Sequence, residues 1–225
     1  MSAAGRQNPS QAAESLEKLC RVYWLPLYTY IRRQGESPHD AQDLTQEFFA
    51  SLLERDFLGS VNQSKGRFRS FLLASLKHFL SNQRDRARAQ KRGGGQKHFP
   101  LDFSDAESSV GFQPADHQTP EKAFEKRWAL TLLDQTLGRL RREYSERGKE
   151  ALFEQLKTTL TEGRGGVAYA ELAARLGISE AAVKMAVLRL RQRYREVLRL
   201  EIAETVAGES EVEAELRDVF RALSD

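Results

Sequence analysis

The segment from residue 175 to residue 199 combines the side chains that can read a base pair. It holds seven basic residues against two acids. On a helix, its outward face would carry Lys184, Met185, Leu188, Arg189, Gln192 and Arg195. Arginine and lysine bind guanine edges or phosphates, glutamine binds adenine, and apolar side chains contact thymine methyl groups. The pattern favours reading of duplex DNA in the major groove, although a solvated helical hairpin with basic decoration would have a similar composition.

A second basic segment, from residue 65 to residue 97, carries aromatic rings. It holds ten basic residues and one acid, with Phe68, Phe71 and Phe79 interleaved. Cations that follow the phosphates and rings that stack on bases suit single-stranded or melted DNA. The charge excess therefore predicts a nucleic-acid surface, whereas Phe71 and Phe79 fit a hydrophobic core better.

A third segment, "DAQDLTQEFFASLLER", predicts a helix with an acidic and amide-rich face. The apolar residues repeat at helical spacing on the other side. By composition alone, this segment fits an ordinary amphipathic helix.

Other kinds of chemistry find little support in the sequence. No nucleophile–base pair, phosphate-binding loop or paired carboxylates suggest an enzyme, and no cofactor is expected. The four scattered histidines lack the spacing of metal ligands. The single cysteine, Cys20, excludes an internal disulfide and fits a reducing compartment. No apolar run approaches the roughly 20 residues of a membrane span, so we expect a cytoplasmic protein without a membrane segment or signal peptide.

Helical periodicity dominates the chain and predicts an all-α fold of two small helical domains on a flexible linker. We expect an N-terminal helical domain over residues 10–92. A Gly-, Ser-, Pro- and Asp-rich linker would cover residues 93–118. A C-terminal helix-turn-helix domain would cover residues 119–205, and an acidic C-terminal helix residues 206–225. Ser37 and Thr119 are expected to cap helices, each followed by a proline in the first turn.

The turn of the predicted helix-turn-helix lies at Gly177, which can adopt positive φ without steric cost. Ser179 would cap the second helix, and Ile178 would fill the angle between the two helices. Residues of the second helix that should pack inward are Val183, Val187, Leu190, Tyr194 and Leu198.

The C-terminal tail is acidic: residues 201–225 contain eight acids and two bases. Its predicted helix has an apolar stripe formed by Val212, Leu216, Val219, Phe220 and Leu223. The tail fits a solvated terminal helix. It also fits an intramolecular mask, which would cover a basic surface and weaken DNA binding.

The order of these segments resembles the bacterial sigma-70 family, in its small extracytoplasmic-function (ECF) branch of sigma factors. The resemblance covers most of residues 15–90 and 120–200. The matching stretches are "YWLPLYTYIRR", "DAQDLTQEFFASLL", "GRFRSFLLASLKHFLSNQRDR" and "YAELAARLGISEAAVKMAVLRLRQRYR".

The resemblance implies a sigma factor that binds RNA polymerase core and directs promoter recognition, DNA melting and transcription initiation. The residues that would bind the β′ clamp helices are Asp40, Asp43, Gln46, Glu47 and Phe48. Those that would bind the melted −10 element are Asn62, Lys65, Arg67, Phe68, Lys77, Asn82, Arg84 and Arg86. Those that would bind the −35 element are Ser179, Lys184, Met185, Leu188, Arg189, Gln192 and Arg195. The existence of an anti-sigma partner is left open.

The recognition helix departs from the family pattern, because it reads "VKMAV" where the family usually has Val-Lys-Ser-Arg-Leu.

Two alternative functions remain open. A polymerase-independent helix-turn-helix regulator would bind duplex DNA tightly by itself. A protein-interaction module that grips an acidic partner would keep its function when Lys184 and Arg189 are replaced by alanine.

Overall fold

The computed structural model describes residues 9–54, 68–89, 118–161, 169–206 and 208–224, and all regular structure within these ranges is helical. This confirms the predicted all-α fold. The helices are α1 (Pro9–Arg33), α2 (Pro38–Glu54), α3 (Phe68–Ala89), α4 (Pro120–Glu146), α5 (Glu150–Leu156), α6 (Thr158–Thr161), α7 (Tyr169–Leu176), α8 (Glu180–Ala203) and α9 (Glu209–Ser224).

The chain divides into two compact units, and the division differs from the predicted domain boundaries. Unit 1 comprises Met1–Thr131 together with Thr205–Asp225, and unit 2 comprises Leu132–Glu204. The start of α4 and the acidic helix α9 thus belong with the N-terminal helices, whereas the sequence pattern assigned residues 119–131 to the second domain and residues 206–225 to neither. Residues 93–117 of the predicted linker lie outside the described residues.

Unit 1 is built on large apolar side chains that recur at helical spacing. In it α1 packs against α2, and α2 packs against α3. The largest fully buried side chains of this unit are Tyr23, Leu27, Tyr28, Ile31, Phe48, Phe49, Leu72, Leu76, Phe124 and Trp128. Burying rings and branched chains of this size removes much apolar surface from water, which is the main force that holds the helices together.

Both predicted helix caps in unit 1 are present. The backbone N–H of Asp40 donates to Ser37 Oγ at 3.1 Å, and the Ser37 hydroxyl donates to Asp40 Oδ2 at 2.6 Å. At the start of α4 the N–H of Lys122 donates to Thr119 Oγ1 at 3.2 Å. The bonds from the N–H groups of Asp40 and Lys122 satisfy donors that the first turn of a helix leaves without an intrahelical partner.

Unit 2 contains the predicted helix-turn-helix, formed by α7 and α8. Its core consists of Leu140, Phe153, Leu156, Leu172, Ala173, Val183, Val187, Leu190 and Val197. Gly177 has φ of +65°, and the next N–H, that of Ile178, donates to Ala173 O at 3.2 Å. Ser179 Oγ accepts a hydrogen bond from the N–H of Ala182, as predicted. The prediction for Ile178 was wrong, because its side chain is exposed.

Candidate polymerase and nucleic-acid interfaces

Helix α8 separates an inner face from an outer face as its periodicity predicts. Val183, Val187, Leu190 and Leu198 are buried, and Tyr194 is half-buried. Burial, together with the nearby charge of Asp134, raises the pKa of Tyr194 to about 12. The predicted DNA-facing side chains are all exposed: Lys184, Met185, Leu188, Arg189, Gln192 and Arg195.

Two arginines of α8 form contacts within unit 2. Arg191 donates to the carbonyl oxygen of Thr159 at 2.6 Å. Arg193 donates to both carboxylate oxygens of Glu143 at 2.8 Å, and its Nη1 lies 2.9 Å from Glu196. The hydrogen bond from Arg193 holds the pKa of Glu143 below its usual range. Only part of the basic excess on α8 is therefore directed outward.

Ser179 stands at the N-terminus of α8, where it is exposed and occupied as the helix cap. Exposed N–H groups and the helix dipole make such an end attractive to a phosphate. Lys184 lies 4.0 Å from Glu180, one turn earlier on the same helix.

The acidic face of α2 is formed by Asp40, Asp43, Gln46 and Glu47. Asp40 is exposed at the cap, and Asp43 lies 3.2 Å from the imidazole of His39. Glu47 accepts a hydrogen bond from Gln83 of α3. Partial burial, with the neighbouring charge of Asp43, raises the pKa of Glu47 despite the opposing effect of Arg86. The face thus concentrates negative charge at a partly desolvated position.

Phe48 differs from the other four residues predicted to bind polymerase, because it is 1% exposed. Its ring packs against Phe49 and against Phe79 of α3, with centroids 6.2 Å and 5.5 Å apart. Phe48 therefore anchors α2 in the core and is not part of its exposed acidic face. Phe79 is half-buried against Phe48. Phe71 is exposed, so the expectation that it lies in the core was wrong.

The residues of α3 predicted to bind the −10 element lie along its length. Lys77 pairs with Glu121 at 2.7 Å, and Arg84 approaches Glu36 at 3.6 Å. Asn82 and Arg86 are exposed, and Phe68 packs edge-on against Tyr23 with centroids 5.5 Å apart. The remaining predicted members, Asn62, Lys65 and Arg67, lie outside the described residues.

A comparison with known protein families identifies the chain. The model of the ECF sigma factor family matches residues 13–199, which include α2, α3, α7 and most of α8. The chain belongs to the ECF sigma factor family. The chain has no match among curated proteins or among solved structures.

Membership of the ECF sigma factor family implies an initiation factor that binds RNA polymerase and acts at specific promoters. Its partners are accordingly RNA polymerase and promoter DNA. Among the helices that the structure describes, none has the length and apolar character needed to cross a membrane. The described residues also contain no cluster of histidine, cysteine and acidic side chains that could hold a metal ion.

This ECF sigma factor carries a buried charge cluster that its sequence pattern did not reveal. Arg69, in the first turn of α3, has a side chain that is 5% exposed. It lies against three carboxylates: Glu125 of α4, Glu215 at 3.0 Å and Asp218 at 2.9 Å. Its guanidinium also lies 4.0 Å from the centre of the Trp128 ring. In the sequence, Arg69 is one of ten bases in its segment, and Glu215 and Asp218 are two of eight acids in the tail, so the pattern did not single them out as partners.

Helix α9 supplies two of these carboxylates and lies beyond the residues that match the family. Val212 and Val219 of the predicted apolar stripe are buried, whereas Phe220 is 57% exposed. The acidic tail is therefore docked within unit 1, through apolar contacts and the Arg69 pairs. A freely solvated terminal helix would not bury these groups.

Proposed function

We propose that this ECF sigma factor uses three separate surfaces. The acidic face of α2 binds the clamp helices of the polymerase β′ subunit. Helix α3 and the segment before it hold melted −10 bases, and the outer face of α8 binds the −35 duplex. The observation that carries the proposal is the division of α8, where every predicted DNA-facing side chain is exposed while Arg191 and Arg193 bond internally.

The polymerase contact is supported by the charge of α2. Asp40, Asp43 and Glu47 lie on one face of a helix that Phe48 anchors in the core. A rigid helix presents charges with little loss of side-chain and backbone freedom on binding. We assign Asp40, Asp43, Gln46 and Glu47 to direct contact and Phe48 to support of the helix.

The −10 contact is supported by the basic and aromatic character of the segment from residue 62 to residue 86. Extruding a base from the stack costs a few kcal/mol, which stacking and phosphate contacts must offset. Lys77, Asn82, Arg84 and Arg86 of α3 would contact the melted strand. Lys77 and Arg84 lie on one side of the helix, and Asn82 and Arg86 lie on the other. We also assign to the −10 contact Asn62, Lys65, Arg67 and Phe68.

The −35 contact is supported by the exposed cations of α8. Lys184, Arg189 and Arg195 would bind phosphates or guanine edges, and Gln192 an adenine. Ser179 would bring the helix N-terminus to a phosphate. Binding should therefore weaken strongly as salt rises.

Charge reversal on α2 tests the polymerase contact. The D43K/E47K variant should bind purified core polymerase about tenfold more weakly or worse, because attraction becomes repulsion. Fluorescence anisotropy with labelled sigma factor measures this affinity. The E146K/E209K variant has the same change in net charge at two exposed acids elsewhere and should bind as wild type does.

If D43K/E47K retains wild-type affinity while remaining folded by circular dichroism, the polymerase assignment is wrong. In vitro transcription from a promoter library with core polymerase tests the rest of the proposal. Transcripts that depend on the sigma factor support it. Tight duplex binding by the chain alone, with no effect on polymerase, would instead support a polymerase-independent regulator.

A further inference from the structure

The outer face of α8 contains an apolar stripe in the middle of its basic residues. Ala181, Met185 and Leu188 follow each other at spacings of four and three residues, so they lie one above another within roughly 60° of arc. All three are exposed; Met185 is 48% and Leu188 is 58% accessible to solvent. Met185 and Leu188 contribute hydrophobic free energy only when a binding partner removes their surface from water.

The neighbours of the stripe indicate what covers it. Lys184 flanks it on one side and Arg189 on the other, and Gln192 and Arg195 continue it toward the C-terminus. This arrangement matches a phosphate-lined groove with apolar groups on its floor. In the major groove of DNA the apolar group that protrudes is the C5-methyl of thymine.

We propose that Met185 and Leu188 read thymine methyl groups in the −35 element. The inference rests on the proposed function of α8. Residues near the N-terminus of a recognition helix reach base edges, and Met185 and Leu188 lie in its second and third turns. The unbranched methionine adapts to the position of a methyl group, and Leu188 packs beside it.

The same geometry sets the extent of the thymine-bearing segment. The stripe from Ala181 to Leu188 is about 10 Å long at 1.5 Å per residue. That length corresponds to about three base-pair steps of 3.4 Å. Ala181 leaves room for a methyl group beside it, whereas Lys184 and Arg189 contact the flanking phosphates. The −35 element should therefore contain thymines, on either strand, within about four consecutive base pairs.

The decisive test removes only the methyl groups. The full chain with core polymerase first selects −35 sequences from a randomised duplex. Each selected thymine is then replaced by deoxyuridine, which keeps the base pair and loses the methyl. Wild type should bind roughly fourfold more weakly for each methyl that the stripe covers.

A cycle with protein variants assigns the effect to these side chains. The M185A/L188A variant should bind thymine and deoxyuridine duplexes equally, at about the affinity of wild type for the deoxyuridine duplex. The matched control is L200A, since Leu200 is 45% exposed near the far end of the same helix. L200A should keep the full preference for thymine.

The possible failures can be told apart. If selection and transcription succeed but deoxyuridine binds as well as thymine, the inference is wrong and the proposed function stands. Deoxyuridine sensitivity that persists in M185A/L188A assigns methyl reading to other residues and also overturns it. If the chain selects no duplex with polymerase, the proposed function fails and this inference fails with it.

Discussion

Arginines that look equivalent in the sequence of α8 have different roles in the structure. Arg193 donates to both oxygens of Glu143, while Arg189, four residues earlier, is exposed. A planar guanidinium can bind a carboxylate through two parallel bonds, so it fixes α8 against α4 within unit 2. Arg193 should therefore contribute to the stability of unit 2, whereas Arg189 should contribute to DNA binding.

Replacing Arg193 by alanine should destabilise unit 2. We expect R193A to lower the free energy of unfolding by about 1 kcal/mol, because the ion pair is partly exposed to solvent. Urea titration followed by circular dichroism measures this change. R189A should shift stability by less than about 0.5 kcal/mol but weaken promoter binding. Equal unfolding midpoints for the two variants would contradict the assignment.

The raised pKa of Glu47 leads to a pH-dependent prediction. Burial and Asp43 disfavour its charged form, so ionised Glu47 destabilises the folded state. Stability relative to E47Q should therefore increase as the pH falls from about 7 through the folded pKa toward the ordinary value. Urea titrations across this range measure the difference. A wild type that loses stability relative to E47Q on acidification would show that burial and Asp43 do not control this carboxyl.

At the scale of elements, α9 differs most from the sequence-based expectation, because it packs as part of unit 1. Its two inward acids bind Arg69, and its valines are buried. Removing one partner from a buried ionic cluster commonly costs about 3–5 kcal/mol, since it leaves an uncompensated charge. The helix therefore belongs to the packing of unit 1. Displacement of α9 by polymerase, which the masking hypothesis requires, stays a prediction.

Adjacent residues of α9 test whether this helix is docked. V219A should destabilise the protein by about 2 kcal/mol, because it leaves a cavity at a fully buried position. F220A removes a larger side chain that is exposed and should cost less than about 0.5 kcal/mol. Thermal and urea unfolding measure both. The reverse order would show that α9 is not docked through Val219.

At the scale of the whole molecule, the net charge of +3 hides segments of opposite sign. The acidic face of α2 and the acidic helix α9 offset much of the charge of α3 and α8. Net charge is thus a poor guide to binding in this protein. Affinity for a polyanion depends on the number of cations that contact its phosphates. The slope of log affinity against log salt is proportional to that number.

Salt titration measures how many cations reach the phosphates. R195A should reduce the slope of log affinity against log salt by about one, because one phosphate contact is lost. The complex with core polymerase and promoter duplex is the species to titrate. K149A removes an exposed cation that lies outside α8 and should leave the slope unchanged. An unchanged slope for R195A would remove Arg195 from the phosphate contacts.

The sequence by itself determined the local features of this protein. The caps at Ser37 and Ser179, the positive φ of Gly177 and the two faces of α8 follow from interactions within about four residues, which a sequence pattern contains. The tertiary structure decided the pairing of distant segments. Arg193 meets Glu143 across 50 residues, and Arg69 meets Asp218 across 149. Such partners depend on how helices pack, and no single segment records that packing.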